Sequence, residues 1–355
     1  MEPLRGLFLN TDHGGQIGPS GYARLMEFFE GSKVIEYPRK DPKSYASRLL
    51  TRILNIGAAT KSYRWGSFRC EWKAKGLCRT ETPQFIHLLW GDHDWGYLDK
   101  LIPPSIPLIG TFHQPPSILW DMIPDPSRLE RFDHIILMSP GQAHSLHSRY
   151  GVPLDKMTFI PHGIDCKAFR PLDQTAAANG KFRLLHVGSY LRNFHLLEGL
   201  SRKLRDHPNI ELEIIAPPHV LDTFPELSGN IFRSYLSSEE LLDAYQKSDC
   251  LLMTVNEATA NNAILEGLAC GLPVVCEESS GIRAYTGEKA AFFTEKDNPE
   301  DMLDKVLKLA GDAVLQKEMG KQARIQAECL DWEKTTRQLS GIYRDAIKNK
   351  ATQSD

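Results

Sequence analysis

The sequence predicts an α/β protein of two doubly wound parallel sheets, and three observations lead there. The 355-residue chain is 41% hydrophobic and 25% charged, the balance of a globular protein long enough for two cores with a cleft between them. Short apolar, often β-branched runs recur along its length, separated by about 10 to 25 residues of helical pattern, the layout of βα units whose strands are buried on both faces. A polar, alanine-rich stretch near the midpoint, RPLDQTAAANGKFR from Arg170 to Arg183, has neither period and reads as a linker.

In chain order, the first-half runs are RGLFLN, SKVIEY, QFIHLLW, IPLIGTF and DHIILMS. FRLLHVGS, IELEIIAP, IFRSYL, DCLLMTV, LPVVCEE and AAFFTE follow in the second half. Each side thus has strands enough for one Rossmann-like sheet. After Asp297 the pattern is wholly helical: NPEDMLDKVLKLAG, a second helix to Leu330, then DWEKTTRQLSGIYRDAIKNK. The expected domains are residues 1–172 and 173–330, with residues 331–355 a terminal helix that braces the two.

No apolar run approaches the roughly 20 residues of a membrane span, and MEPLRGLFLN enters a strand pattern without a signal-peptide layout. A cytoplasmic location is expected. Seven cysteines with no C-x-x-C pair argue against a zinc ribbon or a disulfide framework. The net charge of −3 is uneven: residues 1–172 carry 21 Lys+Arg against 17 Asp+Glu, the remainder 21 against 28. Within residues 39–79, 11 basic residues meet only Asp41 and Glu71, with Tyr45, Tyr63, Trp65, Phe68 and Trp72 among them. Two readings stay open for this segment: peripheral contact with an anionic membrane surface or a phosphorylated acceptor, or a solvated helical face with its aromatics turned inward. No nucleic-acid partner is expected.

Open sheets of this kind take ligands at the carboxyl ends of their strands. DCLLMTV runs into NEATANNAILEGLACG, where Thr259, Asn261 or Asn262 can cap a helix whose unpaired N–H groups suit an anion. Glu266, about one turn further in, is an acid in a run otherwise small and apolar. It needs hydrogen-bond partners, either a vicinal diol such as a ribose, or a neighbouring arginine or the helix dipole. After FRLLHVG, Gly188 permits close backbone approach, and Arg192 with Asn193 opens the next helix. That arginine suits a bidentate grip on phosphate oxygens, or is an ordinary loop residue.

These pieces together resemble family 4 of the glycosyltransferases, retaining enzymes of the GT-B architecture. FIPHGIDCKAFRP is similar to the family's strand and turn at the domain crossover, with Pro161, Gly163, Asp165, Phe169 and Pro171 in matching places. LEGLACGLPVVCEESSGIRAYTG is similar to its glutamate helix, next strand and glycine loop, and LDWEKTTRQLSGIYRDAI to its closing helix. The resemblance implies that Glu266 holds the nucleotide ribose and that Arg192 belongs to the basic diphosphate loop. It implies that His113, in IGTFHQPP, approaches the donor sugar, that Gly14 and Gly15 form the glycine-rich first loop, and that Ser280 and Gly281 lie near the diphosphate or base. Two departures stand out. The family's donor-sugar glutamate, eight residues before the ribose glutamate, is Ala258 here, with Glu257 one residue earlier and Ala260–Asn261 in place of a Phe-Gly pair. Glu257, Asn261 and Asn262 are expected to share its contacts. The phosphate loop is also reduced to Arg192, with Asn193 and His195 beside it.

The activity implied is a metal-independent, retaining transfer of a hexose from a UDP- or GDP-sugar to a hydroxyl acceptor (a saccharide, a lipid-linked group or a small molecule), with no cofactor. Arg192 and helix N–H groups would stabilise the departing diphosphate, and His113 would orient. In GDHDW, the Asp-x-Asp of metal-dependent transferases has the wrong fold context, so Asp92, His93 and Asp94 read as the acceptor side or as a plain polar loop. Neither glycine loop satisfies G-x-G-x-x-G, which argues against a dinucleotide dehydrogenase. The alternatives are an NDP-sugar epimerase or hydrolase of the same fold, and a degenerate NDP-sugar-binding subunit or scaffold without turnover.

Overall fold

A computed structural model describes residues 3–11, 19–37, 44–61, 63–93, 95–172 and 180–352; the expected site residues Gly14, Gly15 and Asp94 lie outside the described residues. The chain divides into two compact units, Met1–Gly163 with Trp332–Asp355, and Ile164–Asp331. The first break precedes the polar stretch expected as the linker. Residues 164–172 go with the second unit because Ile164 forms a parallel bridge with Asp331, its N–H donating to the Leu330 carbonyl at 3.0 Å. The Arg324 guanidinium also donates to the carbonyls of Cys166 and Phe169.

Each unit holds a six-stranded parallel sheet, as the periodicity predicts. In the first, β1 (Leu7–Thr11), β2 (Lys33–Tyr37), β3 (Ile86–Leu88), β4 (Leu108–Phe112), β5 (His134–Leu137) and β6 (Met157–Phe159) lie in the order β2-β1-β3-β4-β5-β6. Its helices are α1 (Tyr45–Asn55), α2 (Trp65–Thr80), α3 (Leu98–Leu101), α4 (Pro116–Met122) and α5 (Gly141–Tyr150). All five residues of β1 and of β4 are buried, as strands covered on both faces must be.

The second sheet orders β7 (Phe182–Val187), β8 (Ile210–Ile215), β9 (Ile231–Arg233), β10 (Cys250–Met253), β11 (Val274–Glu277) and β12 (Ala291–Thr294) as β12-β11-β10-β7-β8-β9. Its helices are α6 (Phe194–Leu204), α7 (His219–Thr223), α8 (Ser238–Gln246), α9 (Asn262–Ala269), α10 (Ser280–Thr286), α11 (Pro299–Ala310) and α12 (Ala313–Cys329). Each sheet is doubly wound, so strand order reverses beside its first strand: between β1 and β3 in one, between β7 and β10 in the other. Loops leaving those strands open the crevice that such sheets offer ligands.

The terminal helix α13 (Trp332–Thr352), expected as a brace, is part of the first unit. Its Tyr343 ring stacks on Phe85 at 4.1 Å, and the Tyr343 hydroxyl pairs with His87 Nδ1 at 2.7 Å. His87 Nε2 meets Thr111 Oγ1 at 2.8 Å, and the same oxygen meets the Tyr22 hydroxyl at 2.9 Å. Burial holds His87 down to about 3, so it is neutral in this network at physiological pH. Gly163 leaves room for the Trp332 ring, which a Cβ there would approach to 2.3 Å. Among the described residues no helix is long and apolar enough to cross a membrane.

Candidate functional site

The second unit brings most of the expected donor residues to its switch point. The 188–193 loop leaves β7 and the 254–261 loop leaves β10, and backbone hydrogen bonds join the two. Asn193 N–H donates to the Thr254 carbonyl at 3.0 Å, Asn256 N–H to the Leu191 carbonyl at 3.0 Å, and Arg192 bridges antiparallel to Val255. Gly188 takes φ +91°, which favours glycine, and a Cβ there would lie 2.9 Å from Arg192 Nη2.

Arg192 is engaged differently from expectation. Its Nε and Nη2 both donate to the Val187 carbonyl (3.1 and 2.9 Å), Nη1 to the Tyr190 carbonyl (3.0 Å) and Nη2 to Asn261 Oδ1 (3.4 Å). The fork that would clasp phosphate bidentately is therefore spent on its own loop. Burial brings its pKa down to about 10, which still leaves a cation at neutral pH. Asn193 is also diverted. Its Oδ1 caps α6 by accepting Leu196 N–H at 3.2 Å, and its Nδ2 donates to Asp297 Oδ1 at 2.7 Å and to Glu277 Oε1 at 3.2 Å. With Asn193 5% exposed and both its polar side-chain atoms engaged, it builds the loop layer as the N-cap of α6.

Sequence reasoning passed over Glu277, the last residue of β11. Its carboxylate accepts Val255 N–H at 2.8 Å, Asp297 N–H at 3.1 Å and the Asn193 amide, so it holds together the exits of β7, β10 and β12. Burial raises its pKa, opposed by those three donors. An acid ending an otherwise apolar strand was the signal available in LPVVCEE.

Of the three capping candidates, Asn261 caps α9, its Oδ1 accepting Ile264 N–H at 3.4 Å. Asn262 is the first helical residue, and Glu266 follows one turn on, 6% exposed. The Tyr245 hydroxyl of α8 donates to Glu266 Oε2 at 2.8 Å, a partner absent from both sequence readings. Burial, with the carboxylate beside it, holds that phenol well above its ordinary range, so it acts as a donor. Glu257 sits half-buried in the same loop. Ser280, exposed, begins α10, and Gly281 follows it. A Cβ on Gly281 would fall 2.1 Å from the Ala258 carbonyl oxygen, so the absence of a side chain lets α10 approach the loop that carries Glu257.

In the first unit, Asp92 follows β3 and His113 follows β4. Asp92, expected on the acceptor side or in a plain polar loop, is fully buried. Its Oδ2 accepts the N–H groups of His113 (2.7 Å) and Gln114 (2.6 Å), and burial raises its pKa. Among the described residues Oδ1 has no hydrogen-bond partner. The His113 ring stacks on Trp90 at 3.8 Å and meets the Tyr22 edge at 4.7 Å. Its Nε2 lies 2.8 Å from the Leu89 carbonyl, an acceptor only, so Nε2 carries the proton. His93 is half-buried, with Nε2 3.1 Å from the Gln114 amide nitrogen. Two buried residues that sequence reasoning left unassigned support these loops. Gln142 donates to the carbonyls of Phe112 and Gln114. Glu71 of α2 accepts Gly96 N–H (2.7 Å), Tyr97 N–H (3.0 Å) and the Tyr63 hydroxyl (2.6 Å), which fixes the far end of the 91–97 loop.

The profile described as "Glycosyltransferase Family 4" matches residues 33–168, and that described as "Glycosyl transferases group 1" matches residues 181–312. The chain is 25% identical over 277 residues to a D-inositol 3-phosphate glycosyltransferase of Paenarthrobacter aurescens, covering 68% of either protein. Across four relatives of that name it spans 53 to 78% of their length. Among solved structures it resembles sucrose-phosphate synthase of Thermosynechococcus elongatus, with TM-score 0.72, 14% identity and coverage of 98% of this chain and 100% of that one. It also resembles Anabaena Alr3699/HepE in complex with UDP-glucose, with TM-score 0.70, 13% identity and coverage of 96% and 100%. With one profile on each unit and two doubly wound parallel sheets of the GT-B kind, the chain belongs to family 4 of the glycosyltransferases.

Proposed function

We propose that the chain is a metal-independent, retaining glycosyltransferase that moves a sugar from a UDP- or GDP-linked donor to a hydroxyl acceptor, with no cofactor, at the cytoplasmic side of a cell. The observation that carries the reading is the loop layer at the second sheet's switch point, where Asn261 caps a helix that presents the buried Glu266 one turn in. In this reading Glu266, positioned by the Tyr245 hydroxyl, accepts the ribose hydroxyls. The α9 N-terminus, with Asn261, Asn262 and Ser280 beside it, faces the diphosphate. Glu257 takes the sugar contact for which Ala258 is too short. Arg192 acts as a fixed positive charge behind the loop, held by Val187 and Tyr190, and stabilises the leaving group without clasping it. The first unit supplies His113, oriented by Trp90 and the Leu89 carbonyl, and the acceptor loop around His93.

In the reaction the bond from the anomeric carbon to the diphosphate oxygen breaks, and its electron pair leaves with the nucleoside diphosphate. The acceptor oxygen bonds to the same face of that carbon, and its proton passes to the departing phosphate. The HepE complex with UDP-glucose supports a nucleotide-sugar donor. A second reading, a binder without turnover, draws on Ala258 and on the committed Arg192 fork.

The deciding experiment is calorimetric titration with UDP, GDP, ADP and dTDP in the absence of metal, on the wild type and Glu266→Ala. One nucleotide is expected to bind, with a loss of about 1–3 kcal/mol in the variant, the scale of charged hydrogen bonds. Binding by no nucleotide, or binding indifferent to Glu266, would overturn the reading. Turnover with any acceptor separates enzyme from binder.

A further inference from the structure

Helix α1 has an inward and an outward face. One packs inward, with Ser47 buried and Leu54 and Thr51 half-buried, and Thr51 Oγ1 accepts the Trp65 N–H that begins α2 at 3.1 Å. On the opposite side Tyr45, Leu49, Ile53 and, one residue past the helix, Ile56 fall at helical spacing and are 84, 47, 55 and 88% exposed. Arg48 and Arg52 flank this strip, both exposed. A soluble surface has no reason to keep four large apolar side chains in one row.

The outer side of α2 continues the surface in different chemistry. Trp65, Phe68 and Trp72 form a ladder of rings with centroids 5.7 and 6.0 Å apart, and Trp72 is 56% exposed. Together with Arg69 these three line a shallow groove. Lys75 Nζ lies 4.6 Å from the Trp72 ring, and Arg69, Lys73 and Arg79 are exposed beside it. The only acid between residues 45 and 80 is Glu71, which is wholly buried. The aromatics therefore do not turn inward as a set: Tyr63 does, whereas Tyr45 and Trp72 face out.

We propose that this α1–α2 face lies in the interface of an anionic lipid bilayer, with Leu49, Ile53 and Ile56 entering the acyl boundary. Tyr45 and the tryptophans sit at headgroup depth, where rings with one apolar body and one polar edge are favoured. Arg48, Arg52, Arg69 and Lys73 meet the lipid phosphates. Among the described residues of α1 and α2 the face combines an apolar strip, interfacial aromatics and cations with no exposed acid, which is the complement of that surface and of no neutral one. The inference deepens the transferase reading by placing its acceptor in or beside a lipid surface, and rests on that reading for the acceptor alone.

The full chain is sedimented with vesicles of phosphatidylcholine and with vesicles of equal parts phosphatidylcholine and phosphatidylglycerol, and the same protein is titrated with the nucleotide that binds best. The wild type is expected to partition at least about tenfold more strongly onto the anionic vesicles, and less so at high salt. Ile53→Glu with Ile56→Glu, at two exposed positions, should abolish pelleting and leave nucleotide affinity unchanged; Arg48→Glu with Arg52→Glu should lower partitioning by about tenfold or more. Wild-type protein that stays in the supernatant overturns the proposal, as does an Ile53/Ile56 variant that pellets like wild type. So does a wild-type dimer that the same variant splits, since a second copy would then cover the face. Vesicle binding without any nucleotide binding would leave the docking face standing and remove the transferase reading.

Discussion

Glu277 Oε2 accepts the backbone N–H of Val255 at 2.8 Å while Oε1 of the same carboxylate accepts that of Asp297 at 3.1 Å. Glu277→Gln turns one of these oxygens into an N–H₂ that faces another N–H, at a cost of about 1–3 kcal/mol. A lower melting temperature is expected, with nucleotide affinity reduced roughly tenfold because the loops at the switch point lose their common anchor. If calorimetry found the affinity intact in a destabilised variant, the clamp and the site would be separate matters.

Tyr245 and Glu266 make a pair whose members should behave differently. Tyr245→Phe removes one donor and leaves the carboxylate, so nucleotide affinity should change by no more than a few-fold, whereas Glu266→Ala should cost about 1–3 kcal/mol of binding. Equal and purely structural effects of the two substitutions, read by calorimetry beside thermal melting, would make Glu266 a core residue.

Gly281→Ala tests the contact between α10 and the loop before α9. The nearest atom to the new methyl is a backbone carbonyl at 2.1 Å, which has no rotamer to yield. A destabilisation of about 1–3 kcal/mol is expected, with weaker nucleotide binding as the 257–262 loop shifts. An alanine variant as stable as wild type in urea would show that the loop moves without cost.

Burial raises Glu71 from the ordinary carboxyl value of 4.5 to about 7. Between those pH values the folded chain holds a proton that the unfolded chain has released. The stability this group contributes is full below about 4.5 and is lost as pH rises through about 7, roughly 3 kcal/mol in all. Glu71→Gln cannot titrate. Urea denaturation should therefore show the wild type gaining on this variant as pH is lowered from 8 to 5; a constant difference would mean an ionised carboxylate throughout.

The strands and both sheets were legible because β4 and β10 are almost wholly apolar, while β1 and β7 carry the short apolar runs Leu7 to Leu9 and Leu184 to Leu185, a pattern that parallel sheets demand. The resemblance carried the family, and the spacing of Asn261 and Glu266 carried the helix that bears them. What escaped were interactions set by tertiary neighbours. Nothing local in HVGSYLRN shows that Arg192 will turn its fork onto Val187 and Tyr190, since those carbonyls become neighbours only once Gly188 takes a positive φ. Nothing in GDHDW tells that Asp92 will be sealed under the 113–114 backbone, because β3 and β4 must pair first. Composition found the basic segment 39–79 but could not orient it, as the helical period of α1 fits an apolar strip facing either way.

The first unit is assembled from two stretches that are 168 residues apart in the chain, with the whole second unit between them. On a ribosome, the second sheet can therefore be complete before Trp332 and Tyr343 have been made, while Phe85, His87 and Gly163 still wait for the rings that cover them. A chain halted after Asp331 should leave one finished body and one unfinished, apolar body. Newly made protein is thus most exposed to chaperones and proteases in its first unit, until residues 332–355 emerge.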